Sequence, residues 1–242
     1  MNKRTLIIGD IHGGYRALLQ VLKRANLTKD DTLIFLGDYV DGWSESAQTI
    51  QFLIELAKEQ TCIFIKGNHD VWCEKYLKTK NADRRWLIHG GWTTFESYEI
   101  HKEWFKSHLK FFQKMHLYYV DEKNRLFIHA GFTSMKGPSE EFYPSNYNWD
   151  RTLWEMALTM DKRIKKHSNL YPKRLKLYDE IYIGHTPTLH YDQGKPMQAI
   201  NVWNIDTGAA FTGKLSILDI DTKEFWQSDP LPQLYPNEKG RN

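Results

Sequence analysis

Residues 5–14 read T-L-I-I-G-D-I-H-G-G, and the reading of the whole chain turns on them. Thr5 to Ile8 is a short, largely aliphatic run that stops at a glycine, the pattern of a buried strand. Asp10 and His12 follow two residues apart, and on an extended backbone that spacing points both side chains the same way. A carboxylate and an imidazole converging where a strand gives way to a glycine turn suit a metal ion.

The arrangement then recurs. Residues 15–25 place Leu18, Leu19 and Leu22 at helical spacing, and residues 32–36 (T-L-I-F-L) form a second apolar strand ending in G-D-Y-V-D-G. A helix over 46–58, with Ile50, Leu53, Ile54 and Ala57 as its buried stripe, leads to a third strand at 61–65 that ends in K-G-N-H-D. A further helix is expected over 71–78. Three strand–helix units with almost wholly apolar strands predict parallel pairing, helices on the sheet faces, and a site where the strands' carboxyl ends meet.

Beyond them, residues 102–115 read as helix and residues 118–120 and 125–128 as strands, the second ending in H-A-G. Residues 133–148 read as a loop, 152–166 as a helix finishing in a basic run, and 180–183 as a strand ending in G-H-T-P. A meander of short strands is expected across 205–221 and 225–226. The proline-bearing segment from Asp229 is expected to be loosely held. No repeat or linker interrupts the series, so one domain over residues 1–242 is expected.

Collected from the strand ends, Asp10, His12, Asp38, Asn68, His69, His129 and His185 make a donor set. Asp10 and His12 suit one divalent ion, and Asn68, His129 and His185 a second. Asp38 is the natural bridge, because a carboxylate can give one oxygen to each metal. Nitrogen and oxygen donors without thiolate suit Mn, Fe or Zn, and the imidazoles argue against Ca. Any one of these histidines alone reads more readily as a core or loop residue; five glycine-flanked strand ends in succession do not.

Together, G-D-I-H-G at 9–13, G-D-Y-V-D-G at 37–42, G-N-H-D at 67–70, H-A-G at 129–131 and G-H-T at 184–186 resemble the five signatures of calcineurin-like metallophosphoesterases. The nearest likeness is to the phosphoprotein phosphatase branch, which includes bacterial and phage Ser/Thr phosphatases and symmetrical diadenosine tetraphosphatases. The resemblance implies an α/β fold, a four-layer αββα sandwich with its active site at the carboxyl ends of the strands and the C-terminal strands supplying much of the second sheet. It also implies a two-metal phosphomonoesterase, in which the cations lower the pKa of the water between them for in-line attack. The substrate it points to first is a phosphoserine or phosphothreonine protein. A dinucleoside polyphosphate or other small phosphate ester is the alternative, and a non-catalytic scaffold of the same shape the third.

Residue by residue, Asp10 and His12 match ligands of the first metal, Asp38 the bridge, and Asn68, His129 and His185 ligands of the second. His69 matches the general acid that protonates the leaving oxygen, and Asp41 the carboxylate that orients it. The second signature departs from the family's D-R-G: here it reads Asp41-Gly42-Trp43, without the arginine that grips substrate phosphate. Arg151 resembles the family's other phosphate-gripping arginine, and Arg84 and Arg85 are possible substitutes.

The bulk composition is consistent with a globular enzyme. Of 242 residues, 41% are hydrophobic and 26% charged, enough apolar content to bury a core. A net charge of +3 gives no argument for nucleic-acid or membrane binding as the main business. No run of eighteen apolar residues suggests a transmembrane helix, and with the first strand starting at Thr5 no signal peptide is expected. Two cysteines, Cys62 and Cys73, make no disulfide framework, so a reducing cytoplasm is the expected setting. The basic stretch at 162–176 reads first as a solvated helix end, and otherwise as an attractor of phosphorylated or acidic substrates or of nucleic acid. Trp43, Trp92, Tyr143, Tyr147 and Trp149 read as core filling, loop anchors or base-stacking groups.

Overall fold

Alternate residues of the short apolar strands face two different cores, and this places the layers. In the computed structural model, which describes residues 3–241, the strands are β1 (Thr5–Ile8), β2 (Thr32–Phe35), β3 (Thr61–Phe64), β4 (Tyr118–Val120), β5 (Arg125–Ile128), β6 (Glu180–Ile183), β7 (Met197–Ala199), β8 (Val202–Asn204), β9 (Ser216–Asp219) and β10 (Phe225–Gln227). The helices are α1 (Tyr15–Arg24), α2 (Ser46–Glu59), α3 (Asn68–Thr79), α4 (Arg84–Trp86), α5 (Trp92–Ile100), α6 (Phe105–Gln113), α7 (Asn146–Trp149), α8 (Thr152–Thr159), α9 (Lys173–Lys176) and α10 (Leu231–Leu234).

Two five-stranded mixed sheets form, ordered β10-β9-β1-β2-β3 and β4-β5-β6-β8-β7. Strands β1, β2 and β3 are parallel, as are β5, β6 and β8. Leu6, Ile8, Leu33 and Phe35 pack under helices α1 and α2, through Leu18, Val21, Ile50 and Leu53. Their neighbours Ile7 and Ile34 face the other way, onto Phe127 and Tyr182 of the second sheet. That sheet's outer face, with Leu126, Ile128, Ile181 and Ile183, is covered by Leu153, Trp154 and Leu175. The αββα sandwich is therefore present. Each sheet has helices on one face only, and the other sheet covers its second face, which is why the strands carry no polar alternation. Each fully buried aliphatic side chain contributes about 1.5–3 kcal/mol by leaving water.

Several expectations need correction. The C-terminal strands do not build the second sheet: β9 runs antiparallel beside β1 in the first, and β10 antiparallel beside β9 at its edge. The second sheet is completed instead by β7 and β8, three residues each and turned at Ile200, too short to show a period. Helix α8 stops at Thr159, because the Asp161 carboxylate accepts the Arg163 N–H and closes a turn before the basic run. Leu19 and Ala57 face solvent, one helical step off the buried stripes of α1 and α2.

The segment from Asp229 is docked rather than loose. Leu231 and Tyr235 are buried, and the Tyr235 ring stacks on Trp43 with centroids 5.2 Å apart. Among the described residues no helix is long and apolar enough to cross a membrane.

Candidate metal centre and catalytic cleft

All eight residues expected as ligands or acid–base groups lie where the parallel strands end, and all are buried. Asp10 and His12 leave β1, Asp38 and Asp41 leave β2, and Asn68 and His69 open α3. His129 follows β5 and His185 follows β6, so the centre draws on both sheets. The backbone there is held in an uncommon shape: His12, Asp38, Asp41 and His185 have φ of 53°, 53°, 71° and 69°. Left-handed residues other than glycine are uncommon and collect at functional sites.

The imidazoles are aimed by their far nitrogens. His12 Nδ1 lies 2.8 Å from the Asp41 carbonyl, and His129 Nδ1 lies 2.8 Å from the Leu36 carbonyl. Such donation fixes the tautomer and turns each Nε2 inward as a lone-pair donor. His129 Nε2 is 3.4 Å and His12 Nε2 3.7 Å from Asp38 Oδ2. Asn68 Oδ1 sits between His129 Nε2 at 3.2 Å and His185 Nδ1 at 3.0 Å. Two clusters able to hold an ion result, His12 with Asp38 and His69, and Asp38 with His129 and His185. Asp38 belongs to both. Asp10 stands beside them, with its Oδ2 3.9 Å from His12 Nε2 and accepting the His185 N–H at 3.1 Å.

The residues present fit divalent cations. Asp10 Oδ1 and His185 Nε2 are buried with no hydrogen-bond partner, which is costly unless a ligand completes them. Burial, with the charge of Asp206 next, raises the Asp10 carboxyl well above its usual range. Burial also works against the charge of Asp38, yet the imidazoles of His129, His69 and His12 hold it well below that range. His129 is pushed up to about 10, Asp38 outweighing the cost of burial. A proton is thus drawn to a spot where a cation would relieve the same negative field. Bound there, two such ions supply Lewis-acid polarisation of phosphoryl oxygens and an activated water.

Next to this cluster, His69 Nδ1 meets Asp41 Oδ2 at 2.6 Å, and the Trp86 indole N–H donates to the same oxygen at 2.7 Å. Burial lowers His69 to about 3 and raises Asp41 to about 8. Both directions leave the ring uncharged and a proton on the carboxyl near neutral pH, so one proton lies in the 2.6 Å contact between them. Wherever that proton rests, loss of hydrogen from Nε2 leaves Nδ1 able to keep or take the one on the Asp41 side. The pair can therefore deliver one proton to an oxygen in the cleft.

Sequence reasoning gave little weight to Asp70, which the structure makes central. Its two carboxylate oxygens accept the N–H groups of Asp38, Tyr39 and Gly67 at 2.7–2.9 Å. It thereby caps α3, which starts three residues earlier than expected, and ties that helix to the Asp38 turn. The acidic residue at the third helical position after Gly67 was the signal. Asp206 accepts the Gly208 N–H at 2.9 Å, and its charge also bears on Asp10.

A cleft of about 650 Å³ opens above Asp38, Asn68, His69 and His185. Arg151 and Arg85 line it; Arg84 is not among its lining residues. Trp72, His89 and Arg241 also line it and had not been singled out. Trp72 stacks on His89 with centroids 5.9 Å apart and meets Trp149 edge-on at 5.2 Å. Of the other aromatic candidates, Trp43 and Tyr147 are buried, and Trp92 and Tyr143 are exposed away from the cleft lining. The basic stretch stays out of the cleft too. Its Arg174 braces the Phe132 carbonyl at 2.6 Å, and Arg163 pairs with Asp161.

Comparison with known proteins agrees with this geometry. The chain is 28% identical over 97% of its length, and 97% of the relative's, to bis(5'-nucleosyl)-tetraphosphatase PrpE [asymmetrical] of Anoxybacillus flavithermus. It is 25% identical over 88% of its length, and 91% of the relative's, to serine/threonine-protein phosphatase 2 of Salmonella typhimurium. A solved serine/threonine phosphatase from Saccharomyces cerevisiae superposes with a TM-score of 0.62 at 12% identity, covering 95% of this chain and 83% of that one, which shows the fold alone. Residues 3–206 match the calcineurin-like phosphoesterase family. With that span matched, the protein belongs to the calcineurin-like phosphoesterases and is a metal-dependent phosphoric ester hydrolase.

Proposed function

We propose that the protein hydrolyses dinucleoside polyphosphates, with Asp10, His12, Asp38, Asn68, His129 and His185 holding two divalent ions. Mn fits the nitrogen and oxygen donors, as do Fe and Zn. His69, positioned by Asp41, gives the proton to the leaving oxygen as water attacks in line.

One observation carries the choice of substrate. Three guanidinium side chains, of Arg85, Arg151 and Arg241, line one cleft together with the indoles of Trp72 and Trp149. A single phosphate ester needs one or two such cations, whereas a chain of phosphates can engage all three. Indoles in the cleft lining suit a nucleobase, whose stacking is worth about 1–3 kcal/mol. The relative named as a tetraphosphatase supports the same reading. The reading reached first from sequence, a Ser/Thr protein phosphatase acting on phosphorylated protein, keeps one specific support in the relative so named.

The two are separated by loading the metal-stripped protein with Mn and offering diadenosine tetraphosphate and a phosphothreonine peptide in parallel. A kcat/KM at least about tenfold higher for the dinucleotide is expected, one decade being about 1.4 kcal/mol of transition-state binding. Preference for the peptide would return the substrate to a phosphoprotein and leave the metal chemistry in place.

A further inference from the structure

The second signature carries no cation at Gly42, yet a cation stands beside it. Arg241, at the far end of the described chain, lays its stem across two glycines with left-handed backbone, Gly42 (φ 126°) and Gly90 (φ 101°). A methyl group added at Gly90 would come 2.9 Å from Arg241 Cγ, and one at Gly42 would come 3.4 Å from it. The two glycines are joined by a hydrogen bond from Gly42 N–H to the Gly90 carbonyl at 3.1 Å. They form a trough along which the Arg241 stem lies.

Beyond the stem, the guanidinium stands 5.3 Å from the centre of the Phe211 ring and reaches the cleft that Asp38 and His69 line. Its Nε is buried without a hydrogen-bond partner. Burial dominates the proton affinities of His12, His69 and Asp41, and the positive charge of Arg241 acts on all three.

The segment that delivers Arg241 is anchored on the neighbouring residue of the same signature. Trp43 is fully buried, donates its indole N–H to the Ala209 carbonyl at 2.7 Å, and carries Tyr235 on its face. Ser44 holds the Glu238 carboxylate through its N–H at 2.9 Å and its hydroxyl at 2.7 Å. The Arg241 N–H closes the strap on the Ala210 carbonyl at 2.9 Å. Gly42 thus leaves room for a cation, and Trp43 and Ser44 seat the strap that brings one.

We infer that Arg241 is a substrate-binding residue that grips a phosphate group in the cleft, delivered by the strap 229–241 docked on Trp43. The inference deepens the hydrolase reading and rests on it for the substrate, but phosphate binding itself needs no turnover.

The test measures inorganic phosphate binding to the Mn-loaded protein by calorimetry, beside steady-state hydrolysis of diadenosine tetraphosphate. Arg241→Ala should weaken phosphate about tenfold and raise KM by a similar factor, with kcat changed less, as loss of a charge-assisted clamp predicts. Arg241→Lys, which keeps the stem in its trough, should recover part of the affinity. Arg163→Ala, which removes the same charge from the exposed 161–166 stretch, should change neither. If phosphate affinity and KM stay at the parent values in a folded Arg241→Ala protein, the inference is overturned and the hydrolase reading stands. If no substrate turns over while phosphate binding still depends on Arg241, the function falls and the inference stands. A drop in affinity that Arg163→Ala reproduces would reduce the effect to net charge and overturn the assignment.

Discussion

At the amino ends of the strands, charges meet charges. Arg4 lies 2.6 Å from Asp31, Arg125 lies 2.6 Å from Asp121 and 3.0 Å from Asp221, and Lys223 lies 2.6 Å from Glu180. At the carboxyl ends of the same sheets the reverse holds. Asp10 Oδ1, Asp41 Oδ1, His185 Nε2 and Arg241 Nε are buried without a hydrogen-bond partner. Both edges are built from the same few residue types, so chemistry alone does not separate them. Pairing does: the charges named at one edge are matched for stability, and the donors named at the other are left open for what is to bind.

Substitutions should divide along that line. The largest effect is expected at Asp38, the residue shared by both candidate ion clusters. Asp38→Asn should lower kcat/KM about 1,000-fold, whereas Arg151→Ala, on the cleft wall, should cost about tenfold. Equal, small losses from both would break the contrast between centre and wall.

The closed edge should behave oppositely. Asp31 accepts from Arg4 and from the Thr28 N–H, so Asp31→Ala leaves both without their carboxylate. A loss of about 2 kcal/mol in urea unfolding is expected, with metal-dependent hydrolysis unchanged. An active-site defect in that variant would mean that the two edges are not separable.

A pH-dependent effect tests whether buried, fully partnered polar groups away from the cleft also serve stability alone. His108 lies between the Tyr98 hydroxyl at 2.9 Å and Gln51 Oε1 at 3.0 Å, and burial lowers its pKa to about 3. The native state keeps this ring neutral, while the unfolded chain takes up a proton below about 6.5. Its contribution is therefore present above pH 6.5 and is lost as pH falls toward 3, by about 2 kcal/mol at pH 5. Replacing it, His108→Gln should flatten the fall in stability between pH 7 and 5 relative to the parent. An unchanged slope would show that His108 is not the group responsible.

What could be read in advance follows from how locally each feature is encoded. The strands β1, β2 and β3 announce themselves because both faces are buried and each ends in glycine plus a ligand. The eight centre residues were legible for the same reason: each sits within a few residues of a strand end. Strands β7 and β8 have three residues apiece and no room for a period, and the return of β9 to β1 is a long-range choice that no short window contains. Arg241 was hidden in the same way. Nothing around residue 241 marks it, and only the folded strap places it beside Gly42. The empty place at Gly42 was visible, but not what fills it.

The left-handed backbone at His12, Asp38, Asp41 and His185 has a consequence for the order of events. Each such residue costs roughly 1 kcal/mol against the ordinary conformations of a free chain, so it persists only when the structure around it over-determines it. A partly folded chain lacks those surroundings, because Asp38 and His185 are framed by opposite sheets. The centre is therefore expected to hold this shape only once both sheets are in place. Once formed, it meets an incoming ligand already arranged, and no part of the binding energy is needed to bring those four residues into position.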